Sequence, residues 1–254
     1  MKHAILGAFA AASLLALAAP ATAQTTQEEA GESLANPSSA FRDSIGRGSW
    51  HTKVETTDRG HMIGDPDAEA RLIEFISYTC SHCADFARQG DPALELMLLA
   101  PGRMNVEVRP VIRNAIDLTV SLLVQCGDTE GFKDRHRMFL SRQDTWLAKA
   151  QNAPQSQQAI WMRGDRASRI NAASALGLDD ILADRGTSRT DINTCLSDDQ
   201  AALALIRNGN ADREEFGVRG TPSFALDGEF LTNVHSWTAL APVLQEHFRP
   251  KGEE

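Results

Sequence analysis

The sequence predicts an α/β protein in which a helical domain is inserted after the second main strand of a small sheet. Two apolar runs, Arg71–Tyr78 and Met104–Arg109, have the length and composition of strands. A long stretch of helical character follows, and a strand–turn–strand pattern comes after it. We therefore place residues 50–113 and 218–254 in the sheet domain and residues 114–217 in the inserted helical domain.

The first half of the sheet domain alternates strand and helix. A short first strand is expected around Trp50–Val54, and Gly64–Asp67 is typical of a turn. Arg71–Tyr78 is the candidate central strand. A helix should run from Cys80 towards Leu99, with a kink or break at Pro92, because proline has no backbone N–H and clashes with the preceding turn.

The inserted domain has two clear helical segments, Ile116–Cys126 and Thr129–Leu140, and a looser stretch over Asp144–Ile181. Ser197–Gln200 has the spacing of a capping box, in which a side chain binds the first free N–H groups of a helix. It should open a helix that ends near Phe216, where a glycine follows.

The chain returns to the sheet domain with a hairpin and a helix. The pair Asp227-Gly228 is favoured in two-residue hairpin turns and predicts such a turn here. A last amphipathic helix covers Ser236–Phe248, with Leu240, Val243, Leu244 and Phe248 on one face.

Residues 1–23 have the three parts of a secretory signal peptide. A short basic start precedes the apolar run Ala4–Leu17, and Ala21-Thr22-Ala23 is typical of a cleavage site, with the cut before Gln24. An uncleaved N-terminal anchor is the alternative, although the apolar run is short for a membrane span. Residues 24–49 are polar and predict a flexible leader. They hold too few apolar residues for a dimerisation domain, so we expect a monomer in the periplasm.

The formal net charge of the chain is −9. An excess of acidic residues opposes binding to nucleic acid or to an anionic membrane surface, because both are themselves negative. We therefore expect neither as a partner.

A Cys-x-x-Cys motif, Cys80-Ser81-His82-Cys83, stands where the central strand passes into a helix. The helix start directs backbone N–H groups at the first sulfur and favours its thiolate. In an oxidising compartment, such a pair indicates thiol–disulfide exchange. A structural disulfide or a zinc knuckle is the alternative. Zinc would need a second ligand pair at short spacing, which the sequence lacks, so we expect no metal and no cofactor beyond the dithiol.

Two motifs together resemble a known family. The segment Glu74–Cys83 resembles the active-site segment of DsbA-like thiol:disulfide oxidoreductases of the thioredoxin superfamily, and Gly220–Phe224 resembles the cis-proline loop of that superfamily. The resemblance spans about Gly64–Phe248 and implies a thioredoxin-like fold with an inserted α-helical domain. Ser81 departs from the best-known members, which have proline there, and residues between the cysteines tune the redox potential.

The resemblance implies roles for the dithiol and its neighbours. Cys80 should be the nucleophile and Cys83 its buried partner, and a protonated His82 would stabilise the Cys80 thiolate. Glu74 should lie beneath the dithiol and relay a proton to or from the buried cysteine. The alternatives are an exposed His82 without a role and a Glu74 that faces solvent.

The resemblance also assigns the second motif and the other two cysteines. Pro222 is expected to be cis, bringing the Thr221 backbone beside Cys80, where it can pair with an extended substrate; a trans turn proline is the alternative. Cys126 and Cys195 remain once the motif cysteines pair with each other. Family members with a second bridge suggest a structural disulfide between them, and two unpaired thiols are the alternative.

The function implied is a periplasmic oxidase that introduces disulfides into reduced or unfolded exported proteins and is reoxidised by a DsbB-like, quinone-linked membrane enzyme. A disulfide isomerase or reductase of the same fold is the main alternative. A metal chaperone that binds through Cys80 and Cys83 is a further one, against which the absence of a Met or His ligand cluster counts.

Overall fold

The computed structural model describes residues 49–250 of the chain. The expected signal peptide, 1–23, and the expected leader, apart from Ser49, lie outside the described residues. Within them, six strands form one sheet: β1 (Val54–Thr56), β2 (His61–Gly64), β3 (Ala70–Ile76), β4 (Met104–Pro110), β5 (Ser223–Leu226) and β6 (Glu229–Phe230). Their order across the sheet is β1-β2-β4-β3-β5-β6. The predicted α/β class is confirmed.

The strand β3 is central, as predicted, and pairs parallel to β4 and antiparallel to β5. Leu72 and Ile76 pack into one hydrophobic cluster, while Ile73 and Phe75 pack into another on the opposite face. A strand covered on both faces is apolar almost throughout, which explains its sequence. Since side chains alternate along a strand, Glu74 shares the face of Leu72 and Ile76.

The expected first strand at Trp50–Val54 is wrong over most of its length. Trp50–Thr52 is a 3₁₀ turn, and β1 begins at Val54. Backbone hydrogen bonds from Thr52 to Ser49 and from Lys53 to Trp50 close this turn locally. The short strand β2 was not predicted. All four of its residues are buried, so it has no alternating pattern that would reveal it.

The helix after Cys80 breaks where proline was expected to break it. It consists of α1 (Ser81–Gln89), the short α2 (Asp91–Leu94) and a π-helical turn at Glu95–Leu99. Pro92 occupies the first turn of α2, where its missing N–H leaves no hydrogen bond unmade.

Eight helices lie between β4 and β5, a region that the structure describes throughout. They are α3 (Ala115–Val124), α4 (Phe132–Ser141), α5 (Gln143–Asn152), α6 (Gln155–Trp161), α7 (Arg166–Leu176), α8 (Leu178–Ala183), α9 (Arg189–Ser197) and α10 (Asp199–Phe216). The looser stretch expected over 144–181 is helical, as is the rest of the inserted domain, but its separate helices were not predicted: it contains most of α5 and the whole of α6 and α7. These short helices bury only a few side chains each, such as Trp146 and Trp161, and give a weak periodic signal.

The start of α10 differs by one residue from the expected capping box. Asp198, and not Ser197, caps the helix, and its carboxylate accepts a hydrogen bond of 2.9 Å from the Ala201 N–H. Ser197 is the last residue of α9. Gly217 ends α10 with a φ of 68°, as predicted.

The C-terminal hairpin and helix are confirmed. Asp227 and Gly228 both have positive φ, as the turn between β5 and β6 requires. The last helix, α11 (Trp237–His247), is capped by Ser236 and buries Leu240 and Leu244. None of the helices in residues 49–250 has the length and apolar character needed to span a bilayer.

Candidate active site

Cys80 is the N-cap residue of α1, where the chain leaves β3. The pKa of its thiol is lowered to about 4, chiefly by a hydrogen bond from the Cys83 thiol. Burial opposes the shift, whereas the Thr221 side chain and the backbone N–H groups of Cys83 and His82 add to it. The helix start therefore holds Cys80 as a thiolate at neutral pH, as expected of a leaving group in disulfide exchange.

Cys83 lies one turn into α1 and is completely buried, whereas Cys80 keeps 6% of its surface exposed. Burial raises the pKa of Cys83 well above its usual value, and the neighbouring Cys80 sulfur and Glu74 raise it further. Neither cysteine is part of a disulfide in this structure. The two sulfurs thus differ in solvent exposure and in protonation, so a thiolate that approaches from solvent reaches Cys80 and not Cys83.

Thr221 lies beside Cys80 because of the register of the sheet. Phe75 of β3 is opposite Ser223 of β5, so the residues before Ser223 meet the loop that carries Cys80. The Thr221–Pro222 peptide bond is cis. The Thr221 carbonyl lies 3.1 Å from Cys80 Sγ, where it accepts a hydrogen bond whenever Cys80 is protonated. No group other than the Cys80 sulfur engages the buried Thr221 hydroxyl within residues 49–250, so it is free to donate to the thiolate and lower its pKa.

Glu74 is buried beneath the dithiol, with 3% of its surface exposed, so the solvent-facing alternative is excluded. Burial raises its pKa well above the usual value, and the charge of Asp91 adds to this. Both carboxyls line a small cavity of about 30 Å³, together with Lys133 and His136. A cavity of this size has room for one water molecule, and these side chains supply polar partners for it.

Asp91 connects this cavity with charged groups nearer the surface. Burial raises its pKa to about 7, and the charges of Arg137 and Lys133 oppose that shift. Lys133 Nζ lies 3.2 Å from a Glu95 carboxylate oxygen, and the Glu95 side chain is partly exposed. Groups able to exchange protons therefore extend from Glu74 towards solvent.

Two buried polar residues that the sequence analysis missed fix the loop before Cys80. The Gln143 side-chain amide donates to the carbonyls of Tyr78 at 2.7 Å and Cys80 at 2.9 Å. Asp117 accepts hydrogen bonds from the Tyr78 N–H at 2.8 Å and the Ser77 hydroxyl at 2.6 Å. Asp117 is an acid within an apolar helix, a signal that could have identified it. Gln143 gives no such signal.

His82 is exposed at the rim of a cleft of about 250 Å³ that also contains Cys80 and Thr221. Its backbone N–H contributes to the lowered pKa of the Cys80 thiol, while its side chain makes no hydrogen bond within residues 49–250. The expected contribution from a protonated imidazole stays a prediction.

Cys126 and Cys195 form a disulfide that joins the end of α3 to α9, with the two Cα atoms 5.6 Å apart. This bridge lies in the helical segment and closes a loop with a sequence separation of 69. Within residues 49–250, no group of three or more His, Cys, Asp and Glu side chains is placed to hold a metal ion.

Comparison with known proteins identifies the family. The family model described as "Thioredoxin" matches residues 56–246. The crystal structure of a protein-disulfide isomerase from Novosphingobium aromaticivorans is similar with a TM-score of 0.72 and 34% identity, over 74% of this chain and 97% of that one. The structure of α-DsbA1 from Wolbachia pipientis has a TM-score of 0.60 over 78% of this chain and 94% of that one. At 18% identity, this second likeness concerns the fold alone.

Curated relatives come from Rickettsia species. A protein of Rickettsia conorii, provisionally named a protein-disulfide oxidoreductase, is 28% identical over 177 residues, or 69% of this chain. The match spans 55% of that protein, little more than half of its length. The thioredoxin-like fold expected from the two motifs is confirmed. The chain therefore belongs to the thioredoxin family.

Proposed function

We propose that this protein is an exported thiol:disulfide oxidoreductase that oxidises cysteine pairs in other proteins through Cys80 and Cys83. The observation that carries the proposal is the asymmetry of the dithiol: Cys80 is held as a thiolate by several donors, while the buried Cys83 keeps its proton. Interactions that stabilise the thiolate stabilise the reduced enzyme, so its disulfide is easily given up.

The reaction starts from the Cys80–Cys83 disulfide. A substrate thiolate attacks Cys80 Sγ, the enzyme disulfide breaks, and Cys83 leaves with the electron pair and takes up a proton. The second substrate thiolate then attacks the substrate sulfur of the mixed disulfide and expels Cys80 as a stabilised thiolate. Two electrons pass to the enzyme, and the substrate gains one disulfide. No cofactor other than the dithiol takes part.

Two elements assist these steps. The Thr221 backbone beside Cys80 can pair with an extended substrate segment, which selects no particular side chain and suits many unfolded chains. Glu74, with the cavity beside it, supplies a route for the proton that Cys83 gains and loses. The pairing of β5 with β3 fixes the position of Thr221, and Glu74 belongs to β3 itself.

An isomerase is the second candidate, because the similar structure from Novosphingobium aromaticivorans is named a protein-disulfide isomerase. The same site then acts from the reduced state: the Cys80 thiolate attacks a wrong disulfide and is later expelled by another substrate thiolate. The resting redox state decides between the two roles.

The deciding experiment equilibrates the purified protein, without residues 1–23, with glutathione buffers and measures the fraction of Cys80–Cys83 disulfide. An oxidase should stay largely reduced even in oxidising buffer, and it should oxidise a reduced unfolded protein stoichiometrically. A disulfide that opens only in strongly reducing buffer would refute the oxidase role. As a mechanistic control, Cys83→Ser should accumulate a mixed disulfide through Cys80, whereas Cys80→Ser should accumulate none.

The cellular setting belongs to the same proposal. Residues 1–23 would direct the chain to the periplasm, and a quinone-linked membrane enzyme of the DsbB type would reoxidise a monomeric enzyme there. Cell fractionation with N-terminal sequencing tests this, with a periplasmic chain that begins at Gln24 as the expected result. A cytoplasmic chain that begins at Met1 would contradict it.

A further inference from the structure

The cleft beside Cys80 is strongly basic. Its lining includes Arg113, Arg213 and Arg219 together with His82, and no acidic residue of the described part of the chain lines it. The chain as a whole carries 34 acidic and 25 basic residues, so this cluster of positive charge stands out against an acidic protein. Charge of one sign in a cleft attracts ligands of the opposite sign and raises their rate of association.

Two of the three guanidinium groups, those of Arg113 and Arg219, are fully available to a ligand. Arg113 and Arg219 are exposed, and none of the three forms an ion pair with a carboxylate within residues 49–250. Arg213 is held in place by the Ile112 carbonyl at 2.8 Å and the Asn210 side chain at 3.1 Å. The charge of Arg113 acts to lower the pKa of the buried Asp117. The two carboxylate oxygens of Asp117, however, already accept hydrogen bonds from the Ser77 hydroxyl and the Tyr78 N–H.

We propose that this cleft recognises carboxylate groups next to the reacting cysteine, so that the substrates are protein segments in which Asp or Glu flanks cysteine. The inference rests on the proposed thiol–disulfide exchange at Cys80. Guanidinium groups bind carboxylates through two parallel hydrogen bonds, and the Thr221 backbone lies in the same cleft. A substrate strand paired with Thr221 would thus place its neighbouring side chains among the arginines.

The test uses dithiol peptides that are identical except for Glu, Gln or Lys on both sides of the reacting cysteine. Stopped-flow measurements give the rate constants for their oxidation by the disulfide form of the enzyme, and for reduction of the corresponding disulfide peptides by the dithiol form. We expect the Glu peptide to react about tenfold faster than the Lys peptide at low salt. In about 1 M salt, where charges are screened within about 3 Å, the ratio should approach one.

The variant Arg113→Gln/Arg219→Gln should lower this ratio several-fold at low salt. Arg213 is left unchanged because it anchors the backbone. The matched control, Arg166→Gln/Arg185→Gln, removes two exposed charges elsewhere and should keep the wild-type ratio. Circular dichroism confirms that both variants are folded, and the single variant Arg219→Gln repeats the test with a smaller change.

Equal rates for the three peptides would overturn the inference. So would the same Glu-to-Lys rate ratio in Arg113→Gln/Arg219→Gln and in the control Arg166→Gln/Arg185→Gln. Glutathione and its ester, in which the carboxylates are blocked, test small thiols as the source of the carboxylate. A preference seen with glutathione and absent from the peptides would also overturn the proposal. The equilibrium position of the exchange reports separately on the oxidase role, since the ratio of rates is measurable whichever direction is favoured.

Discussion

Replacing Thr221 by valine should raise the pKa of the Cys80 thiol. The substitution keeps the shape of the side chain and the backbone carbonyl that faces the sulfur, but it removes the buried hydroxyl. A hydrogen bond to a charged group contributes about 1.5–3 kcal/mol. One pKa unit corresponds to about 1.4 kcal/mol. The pKa of Cys80, about 4 in the wild type, should therefore rise by about one to two units.

The same loss should make the enzyme a weaker oxidant. Because the hydroxyl stabilises only the thiolate, its removal disfavours the reduced form, and the reduction potential should fall by about 30 mV per pKa unit. The ultraviolet absorbance of the thiolate against pH gives the pKa, and equilibration with glutathione gives the potential.

Thr221→Ser is the matched control, since it keeps a hydroxyl at the same position and should titrate close to the wild type. An unchanged pKa in a folded Thr221→Val protein would refute the role of the hydroxyl. A shift of equal size in both variants would show that packing, and not the hydrogen bond, is responsible.

Three further changes test the architecture around the dithiol. Glu74→Gln should stabilise the protein increasingly as pH rises above the usual glutamate pKa of 4.5, because the folded pKa of Glu74 is raised and its carboxyl keeps its proton while the unfolded chain loses one. The advantage of Gln in urea unfolding should grow by about 1.4 kcal/mol per pH unit until the pH reaches the folded pKa, and stay constant above it. A difference independent of pH would contradict this. Gln143→Ala leaves the carbonyls of Tyr78 and Cys80 without their donor and should lower the free energy of unfolding by about 2–3 kcal/mol in the same assay. The control is Asn152→Ala, which loses one exposed hydrogen bond and should be nearly neutral. Cys126→Ala/Cys195→Ala should lower the free energy of unfolding by about 4 kcal/mol, because the bridge closes a loop with a sequence separation of 69. The rate of thiol–disulfide exchange at Cys80 should be retained. Loss of exchange in a folded variant would count against a purely structural bridge.

Local signals located most of the elements around the site. The apolar run of β3, the break at Gly90–Pro92, the αL glycine after α10 and the Asp-Gly turn of the hairpin follow from backbone preferences that neighbouring residues alone determine. These features needed no knowledge of distant contacts. They were therefore predictable from short segments.

Elements stabilised mainly by distant contacts were missed. The strand β2 has four residues and exists because it pairs with β1 and β4. The helices of the segment 144–181 are short and are stabilised by packing against one another. Helices of this length have little stability by themselves, so their sequences need not show a strong period.

The sequence by itself determined the dithiol, the Thr-Pro loop and the α/β order, because these depend on residue type and on spacing along the chain. Only the tertiary structure decided which residues surround the sulfur. The pairing of β5 with β3 brings Thr221 to Cys80, the fold of the helical segment brings Gln143 beneath the Cys80 loop, and the cleft gathers Arg113, Arg213 and Arg219 from distant positions. The electrostatics of a thiolate depend on distance in space, and distance in space between residues far apart in sequence is set by packing.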